Sequence, residues 1–153
     1  MSSPRLTAGL IASLSGFFLS DIPVLLSSTG SDGPQLVKHW THLYNLGSQL
    51  YPAVAIGISL FYVFAALGGT GKGRGFVFFA AAAVTMGMAP YTWMVMSPTN
   101  SSLFRIDELG AAGTTTPMDD ILALIIRWRW LHFARSFFPL TGALLGLRES
   151  VFR

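Results

Sequence analysis

The sequence predicts an all-α integral membrane protein, folded over residues 1–153 as a single bundle of four transmembrane helices. Two observations support this fold class. Only 11% of the 153 residues are charged and 52% are hydrophobic, whereas a typical soluble domain is about 25% charged. In addition, four mostly apolar stretches are each longer than the roughly 20 residues that a helix needs to cross a bilayer. So few charges suit a protein surface that faces lipid.

The predicted spans are separated by polar or glycine-rich segments. The first span is also compatible with a signal peptide, because Arg5 precedes it, but its length favours a transmembrane helix. Interior prolines are tolerated in a membrane bundle, where neighbouring helices satisfy the freed carbonyls. Pro98 is predicted to stop the third helix, which leaves 97–120 as the longest polar connection. The four predicted spans are 6–26, 46–67, 76–96 and 121–147.

The basic residues predict how the bundle lies in the membrane. With four spans, one side holds five basic residues, and the other holds two basic residues together with the acidic loop residues. The first set is Arg5, Lys72, Arg74, Arg148 and Arg153, and the second is Lys38 and Arg105. Because Lys and Arg concentrate in cytoplasmic loops, both termini are predicted to be cytoplasmic. Membrane lipid is the expected partner, in an internal membrane such as the endoplasmic reticulum. The net charge of +3 comes from few ions and does not indicate nucleic-acid binding.

Cofactor and metal motifs give little signal in this sequence. The chain has no cysteine, which excludes thiolate metal ligands and cysteine nucleophiles. The glycine-rich link 68–75 lacks the spacing of a phosphate-binding loop. His39 and His42 are three residues apart and could bind a metal, but no pattern supplies a third ligand, so an interfacial helical turn is favoured. We therefore expect neither a metal nor another cofactor.

The fourth span carries the densest polar signal. Trp128, His132 and Arg135 are spaced i, i+4, i+7 and are predicted to share one helical face. They would provide an aromatic wall, a group that titrates near neutral pH and a fixed cation. Such a face suits a flat, acidic aromatic molecule. An interfacial belt is the plainer interpretation of Arg127, Arg129 and Trp130, but it fits the deeper Arg135 poorly.

Two further polar positions lie in or beside the predicted spans. Asp21 falls inside the first span, where a carboxylate needs a partner or a proton. It is either half of a structural ion pair or an orienter for a base, and the sequence leaves both open. Thr99 and Asn100 follow Pro98 and place hydrogen-bonding groups at the membrane surface. Asn100 also begins a glycosylation sequon, although its closeness to the membrane argues against modification.

These motifs together resemble the anthrone oxygenase family of small four-span membrane proteins. The resemblance rests on Pro98-Thr99-Asn100 followed by Trp128-x-x-x-His132-x-x-Arg135. Pro90-Tyr91-Thr92, which leads into the first motif, is similar to the fungal polyketide branch of that family. Membership implies a cofactor-independent monooxygenase of secondary metabolism. Its substrates would be molecular oxygen and an anthrone, such as emodin anthrone, and its product an anthraquinone.

The resemblance gives the candidate residues specific roles. We predict that His132 is the base, that Arg135 and Asn100 stabilise the developing oxyanion, and that Asp21 orients His132. Trp128 would stack on the planar substrate, which Thr99 and Tyr91 would also contact. One alternative is a non-catalytic membrane scaffold or small transporter subunit, in which the charged residues pair structurally. Another is a haem or quinone carrier that uses His39 or His42 together with His132.

Overall fold

The computed structural model of the protein describes residues 33–68 and 73–151, and every regular element in this part is a helix. The predicted all-α class is therefore confirmed for the described residues. The first predicted span, including Asp21, lies outside them. The elements in chain order are α1 (Gly33–Gly68), α2 (Arg74–Met86), α3 (Met88–Tyr91), a π-helical turn (Thr92–Met96), α4 (Ser97–Ala111) and α5 (Met118–Val151).

Helix α1 begins well before the predicted start of the second span at residue 46. Its first turns are amphipathic: Leu36 and Trp40 are fully buried, whereas Lys38 and His39 are exposed. A window of hydropathy misses this segment because half of its surface is polar, yet the spacing of its buried residues is that of a helix. The helix continues through Pro52, at the cost of one backbone hydrogen bond.

The prediction that Pro98 stops the third helix is wrong. Elements α2, α3, the π-helical turn and α4 follow one another in one nearly continuous helical run, and Pro98 lies in the first turn of α4. A proline lacks the N–H that an interior helical position would donate, and its ring collides with the preceding turn. The wider π-helical turn just before it relaxes both constraints, since its hydrogen bonds join residues five apart. Most of the predicted polar connection is therefore helix, and the loop is reduced to residues 112–117.

Helix α5 is also longer than its predicted span of 121–147. Asp119 and Asp120 lie in its first turn and Arg148 in its last, which places charges of favourable sign at both ends of the helix dipole. Pro139 is accommodated inside the helix.

Side-chain contacts fix the directions of the three long segments. Trp40 of α1 contacts Phe104 and Trp128, with ring centroids 5.1 and 6.0 Å away. At the other end of α1, Tyr62 contacts Phe78 and lies against Gly146. Helices α1 and α5 therefore run parallel, and the helical run 74–111 runs antiparallel to both.

The two ends of this three-segment bundle have different cores. At the end that holds the 112–117 loop, the aromatic cluster joins α1, α4 and α5. At the opposite end, the small-residue cluster joins α1 and α2. The aromatic cluster consists of Leu36, Val37, Trp40, Met96, Leu103, Ile121, Ile125 and Trp128, and the small-residue cluster of Tyr62, Ala66, Phe78, Ala81 and Ala82.

Two helical segments of the described chain are long and apolar enough to cross a membrane: Gly33–Gly68 and Gly75–Ala111. In each, only 28% of the most apolar window is buried, so most of that apolar surface faces outward. Phe61, Phe64 and Phe76 are among the exposed side chains. Length, composition and exposure thus support association of the protein with a membrane.

Candidate functional site

A cavity of about 490 Å³ lies beside the aromatic cluster, between the middle of α1, the π-helical turn and α5. This volume is within the roughly 300–1,000 Å³ of small-molecule sites. The lining is largely apolar, with Leu43, Ala55, Met88 and Met96 among its residues. A few polar groups converge on it, as expected for a site that orients a mostly apolar ligand.

Three of those lining residues come from one face of α5. Trp128 and His132 are buried, and their rings stack with centroids 4.8 Å apart and an interplanar angle of 28°. Arg135 follows one turn later, and its Nη2 lies 3.0 Å from Nδ1 of His132. The helical spacing seen in the sequence thus produces a row of aromatic ring, imidazole and guanidinium along the cavity wall.

The contact between Arg135 and His132 defines the state of the imidazole. A guanidinium carries only N–H donors, so Nδ1 must accept the hydrogen bond from Arg135. A neutral imidazole that accepts at Nδ1 carries its proton on Nε2. The lone pair of His132 therefore points at Arg135, and the ring can take up a further proton only where the guanidinium now donates.

Arg135 has two more neighbours in the cavity wall. Its Cζ lies 5.6 Å from the centroid of the Tyr51 ring, and its Nη1 lies 3.5 Å from Oγ1 of Thr92. Thr92 in turn donates to the Met88 carbonyl at 2.7 Å. Within the described part of the chain no carboxylate contacts Arg135.

Asn100 also lines the cavity, from the first turn of α4. Its side chain is buried, and its Oδ1 has no hydrogen-bond partner among the described residues. A buried amide oxygen without a partner is costly and needs an explanation. A hydrogen-bonding ligand in the cavity would supply one.

Of the seven residues predicted from the sequence, the structure brings four to one cavity: Asn100, Trp128, His132 and Arg135. Tyr91 and Thr99 are not among the lining residues. The Tyr91 ring lies 5.5 Å from that of Phe138, and Thr99 is fully buried. Their predicted contact with substrate stays a prediction, as does the role of Asp21, which is outside the described residues.

Sequence reasoning missed Tyr51 and Thr92, which both line the cavity and contact Arg135. A signal for Tyr51 was present: it precedes Pro52 in an apolar helix and follows Gly47 by one turn. Thr92 belongs to the Pro90-Tyr91-Thr92 motif, but its contact with Arg135 depends on the π-helical turn, which the sequence did not predict.

The paired histidines of α1 lie elsewhere. His39 and His42 are exposed and do not line this cavity, whereas Trp40 between them is fully buried. In residues 33–68 and 73–151 no group of three His, Asp or Glu side chains is arranged to hold a metal ion. These two histidines lie on the exposed face of a helical turn, and the position of that turn at a membrane interface stays a prediction.

Comparison with known proteins identifies relatives over most of the chain. Residues 40–145 match the family model described as anthrone oxygenase. The anthrone oxygenase tpcL of Aspergillus fumigatus is 40% identical over 135 residues, which cover 88% of this chain and 81% of that protein. The anthrone oxygenase ptaC of Pestalotiopsis fici is 39% identical over 140 residues, covering 89% of this chain and 99% of the relative.

A third relative is the noranthrone monooxygenase of Aspergillus flavus, which is 31% identical over 140 residues, covering 90% of this chain and 66% of that protein. No solved structure matches the chain with significance. The family match and these relatives confirm the resemblance seen in the Pro98-Thr99-Asn100 and Trp128-x-x-x-His132-x-x-Arg135 motifs. The chain belongs to the anthrone oxygenase family.

Proposed function

We propose that this oxygenase converts an anthrone to the corresponding anthraquinone in the cavity between α1 and α5, with molecular oxygen as the oxidant and without a cofactor. The single observation that carries the proposal is the row of Trp128, His132 and Arg135 along the cavity wall. It offers a flat ring for a planar substrate, a neutral base and a fixed cation at adjacent positions.

The first step is removal of a proton from the methylene carbon of the anthrone. His132 takes this proton at Nδ1, because its hydrogen bond with Arg135 leaves the ring proton on Nε2. Arg135 must therefore stop donating its hydrogen bond to Nδ1, and it can then donate to the oxygen of the substrate instead. That movement would free the base and place a cation on the oxygen where negative charge develops.

The remaining steps need oxygen and the proton just removed. The delocalised anion passes one electron to O₂, which gives superoxide and a carbon radical. Their recombination forms a C–O bond at the former methylene carbon, and the proton held on His132 converts the peroxide anion to a hydroperoxide. Loss of the second C–H proton and of hydroxide from the O–O bond then forms the new carbonyl. Anthrone and O₂ thus give anthraquinone and water, and the base is regenerated.

The other site residues support this chemistry. Trp128 stacks on the substrate, and the buried Asn100 amide hydrogen-bonds to a substrate oxygen beside Arg135. Asp21 orients His132, for which the proton on Nε2 is a suitable donor to a carboxylate. Tyr91 and Thr99 contact the substrate after a movement of the cavity wall, since neither lines the cavity in this structure.

The same proposal places the chain in a membrane as four spans, with both termini on the cytoplasmic side. Each long segment exceeds the roughly 20 residues that cross the hydrocarbon core, so each extends beyond it at one end. The end of the bundle that holds the aromatic cluster also carries the hydrogen bond from Thr41 to Asp107, and this end would lie outside the bilayer. Helix α5 carries four arginines, and Arg127 and Arg129 would lie at that boundary.

The function is tested by incubating the detergent-solubilised protein with emodin anthrone under oxygen and correcting for spontaneous oxidation. We expect His132→Gln, which keeps a side chain of similar size, to lose at least about 100-fold in turnover because the base is gone. Wild-type turnover should rise with pH through roughly 6 to 7, where histidine side chains lose their proton. If the glutamine variant keeps the turnover and pH profile of the wild type, His132 is not the base.

A further test addresses the membrane arrangement. Reporters fused to the two termini should both read out on the cytoplasmic side. Reporters that land on opposite sides would contradict four spans.

A further inference from the structure

Tyr51 of α1 contacts both polar members of the row on α5. Its ring centroid lies 5.6 Å from Cζ of Arg135 and 6.3 Å from the His132 ring centroid, and the residue is only 7% exposed. We propose that Tyr51 is a positioning residue, whose ring face holds the Arg135 guanidinium at the cavity wall beside His132. The inference rests on the proposed function, since it assigns Tyr51 a part in the same reaction.

Among the described residues, the two hydrogen bonds of Arg135 define the position of its guanidinium only weakly. The hydrogen bond to Thr92 is 3.5 Å long, at the outer limit for such a bond, and the bond to His132 must break during the reaction. A long side chain with two such contacts would sample many rotamers. A cation over an aromatic face within about 6 Å is attracted by the ring, and more strongly where water is excluded. The Tyr51 ring can therefore stay beneath the guanidinium while its hydrogen bonds exchange.

Gly47 shows that the position of this ring is built into α1. It precedes Tyr51 by one helical turn, and a Cβ at Gly47 would lie 2.6 Å from Cε2 of the Tyr51 ring. Side chains on a helix lean back over the preceding turn, so only a residue without a side chain leaves room there. Glycine is unfavourable inside a helix relative to alanine. Gly47 therefore leaves the space that the Tyr51 ring occupies beside Arg135.

The test compares four variants by kcat and KM with emodin anthrone: Tyr51→Leu, Tyr51→Phe, Gly47→Ala and Gly57→Ala. We expect Tyr51→Leu to lower kcat/KM roughly 5- to 30-fold, mainly through kcat, because the cation–π contact is lost. Tyr51→Phe should recover most of that loss, since it keeps the ring face. Gly47→Ala should lower kcat/KM in the same direction by displacing the ring. Gly57→Ala is the matched control on the same helix, because a Cβ there meets no atom within 4 Å.

A second readout separates positioning from general damage. In ¹⁵N NMR spectra of histidine-labelled protein, with His132 assigned through His132→Gln, the wild-type Nδ1 should show the shift of a hydrogen-bonded acceptor. That signal should move towards an unbonded nitrogen in Tyr51→Leu and Gly47→Ala, and stay in place in Tyr51→Phe.

Two results would overturn the inference. One is wild-type kcat/KM and an unchanged His132 signal in Gly47→Ala and Tyr51→Leu; the other is a loss in Tyr51→Phe as large as that in Tyr51→Leu. If Tyr51→Leu fails to fold, the comparison of Gly47→Ala with Gly57→Ala decides. Failure of the proposed function is a distinct result, because the wild-type protein would then show no turnover above spontaneous oxidation. Failure of the role of His132 alone is distinct again, because full turnover would persist in His132→Gln.

Discussion

At one end of the described bundle the helices approach closely through small residues, and at the other large aromatic side chains accompany a cavity. A Cβ at Gly142 of α5 would collide with the Thr85 hydroxyl and lie 2.9 Å from the Ala81 carbonyl oxygen. A Cβ at Gly146 would lie 2.6 Å from Cε1 of Tyr62. At Gly142 the backbones of α2 and α5 are close enough that no side chain of residue 142 would fit between them.

The cavity end has the opposite construction. Trp128 and His132 stack along α5, and Tyr51 fills the facing surface of α1. Buried polar atoms without a partner among the described residues occur at both ends, among them the Tyr62 hydroxyl and the Asn100 Oδ1. The Thr85 hydroxyl, by contrast, donates to the Ala81 carbonyl within its own helix. The two ends thus differ in packing: helix backbones are in near contact at one end, and a cavity separates the helices at the other.

The largest expected effect is on activity, from Arg135→Met. Removal of one preorganised donor to a developing oxyanion typically costs about 10²- to 10³-fold in kcat. We expect a loss of that size with little change in the thermal unfolding temperature of the solubilised protein, because methionine fills similar space without a charge. Arg135→Lys is the control that keeps the charge but loses the planar donor geometry.

A different outcome for Arg135→Met would revise the comparison. If the variant no longer accumulates as folded protein, and Asp21→Asn behaves in the same way, the two residues form a structural ion pair. Normal activity in Arg135→Met would eliminate both the catalytic and the structural role.

The next effect is on stability, at the close-packed end. Gly142→Ala introduces a methyl group against Thr85 and Ala81, and overpacking of this kind costs about 1–3 kcal/mol in the free energy of unfolding. Thermal unfolding in detergent measures the change, with Gly57→Ala as the control in open space. Specific activity per folded molecule should be unchanged. A stable Gly142→Ala protein would show that the helices at this end can separate without cost.

The smallest expected effect is a loss of kcat/KM on substitution of Thr92, and Thr85 serves as its matched control. Thr85 and Thr92 each donate to the carbonyl four residues earlier, at 2.8 and 2.7 Å, but only Thr92 accepts from Arg135. Thr92→Val should lower kcat/KM about two- to tenfold, the value of one modest hydrogen bond. Thr85→Val should leave kcat/KM unchanged. Equal losses in the two variants, measured with emodin anthrone, would mean that the contact between Thr92 and Arg135 has no role in the reaction.

Local spacing predicted part of this site from the sequence alone. Trp128, His132 and Arg135 lie on one helix, so their shared face follows from the period of 3.6 residues, and Asn100 was singled out by its motif. Tyr51 was missed because its contact with Arg135 joins two helices that are far apart in the sequence. No local sequence pattern encodes such a contact.

The fold was predicted in class but not in its boundaries. Hydropathy located the apolar middle of α1 and missed its amphipathic start around Trp40, where only one face is buried. The effect of Pro98 was also misjudged, because a proline stops a regular α-helix but not one that widens just before it. The π-helical turn at Thr92–Met96 has no compositional signature that distinguishes it from the surrounding helix.

That turn also determines how the chain tolerates insertions and deletions. A π-helical turn holds one more residue than an α-helical turn, while the helices on either side keep the relative orientation of a regular helix. Deleting one residue from Thr92–Met96 should therefore convert the turn to α-helix and leave Asn100 and Leu103 facing inward. The same deletion within α2 would rotate all that follows by about 100° and turn Asn100 away from the cavity. A one-residue deletion would therefore be nearly silent in the π-helical turn but would abolish the site if it fell within α2.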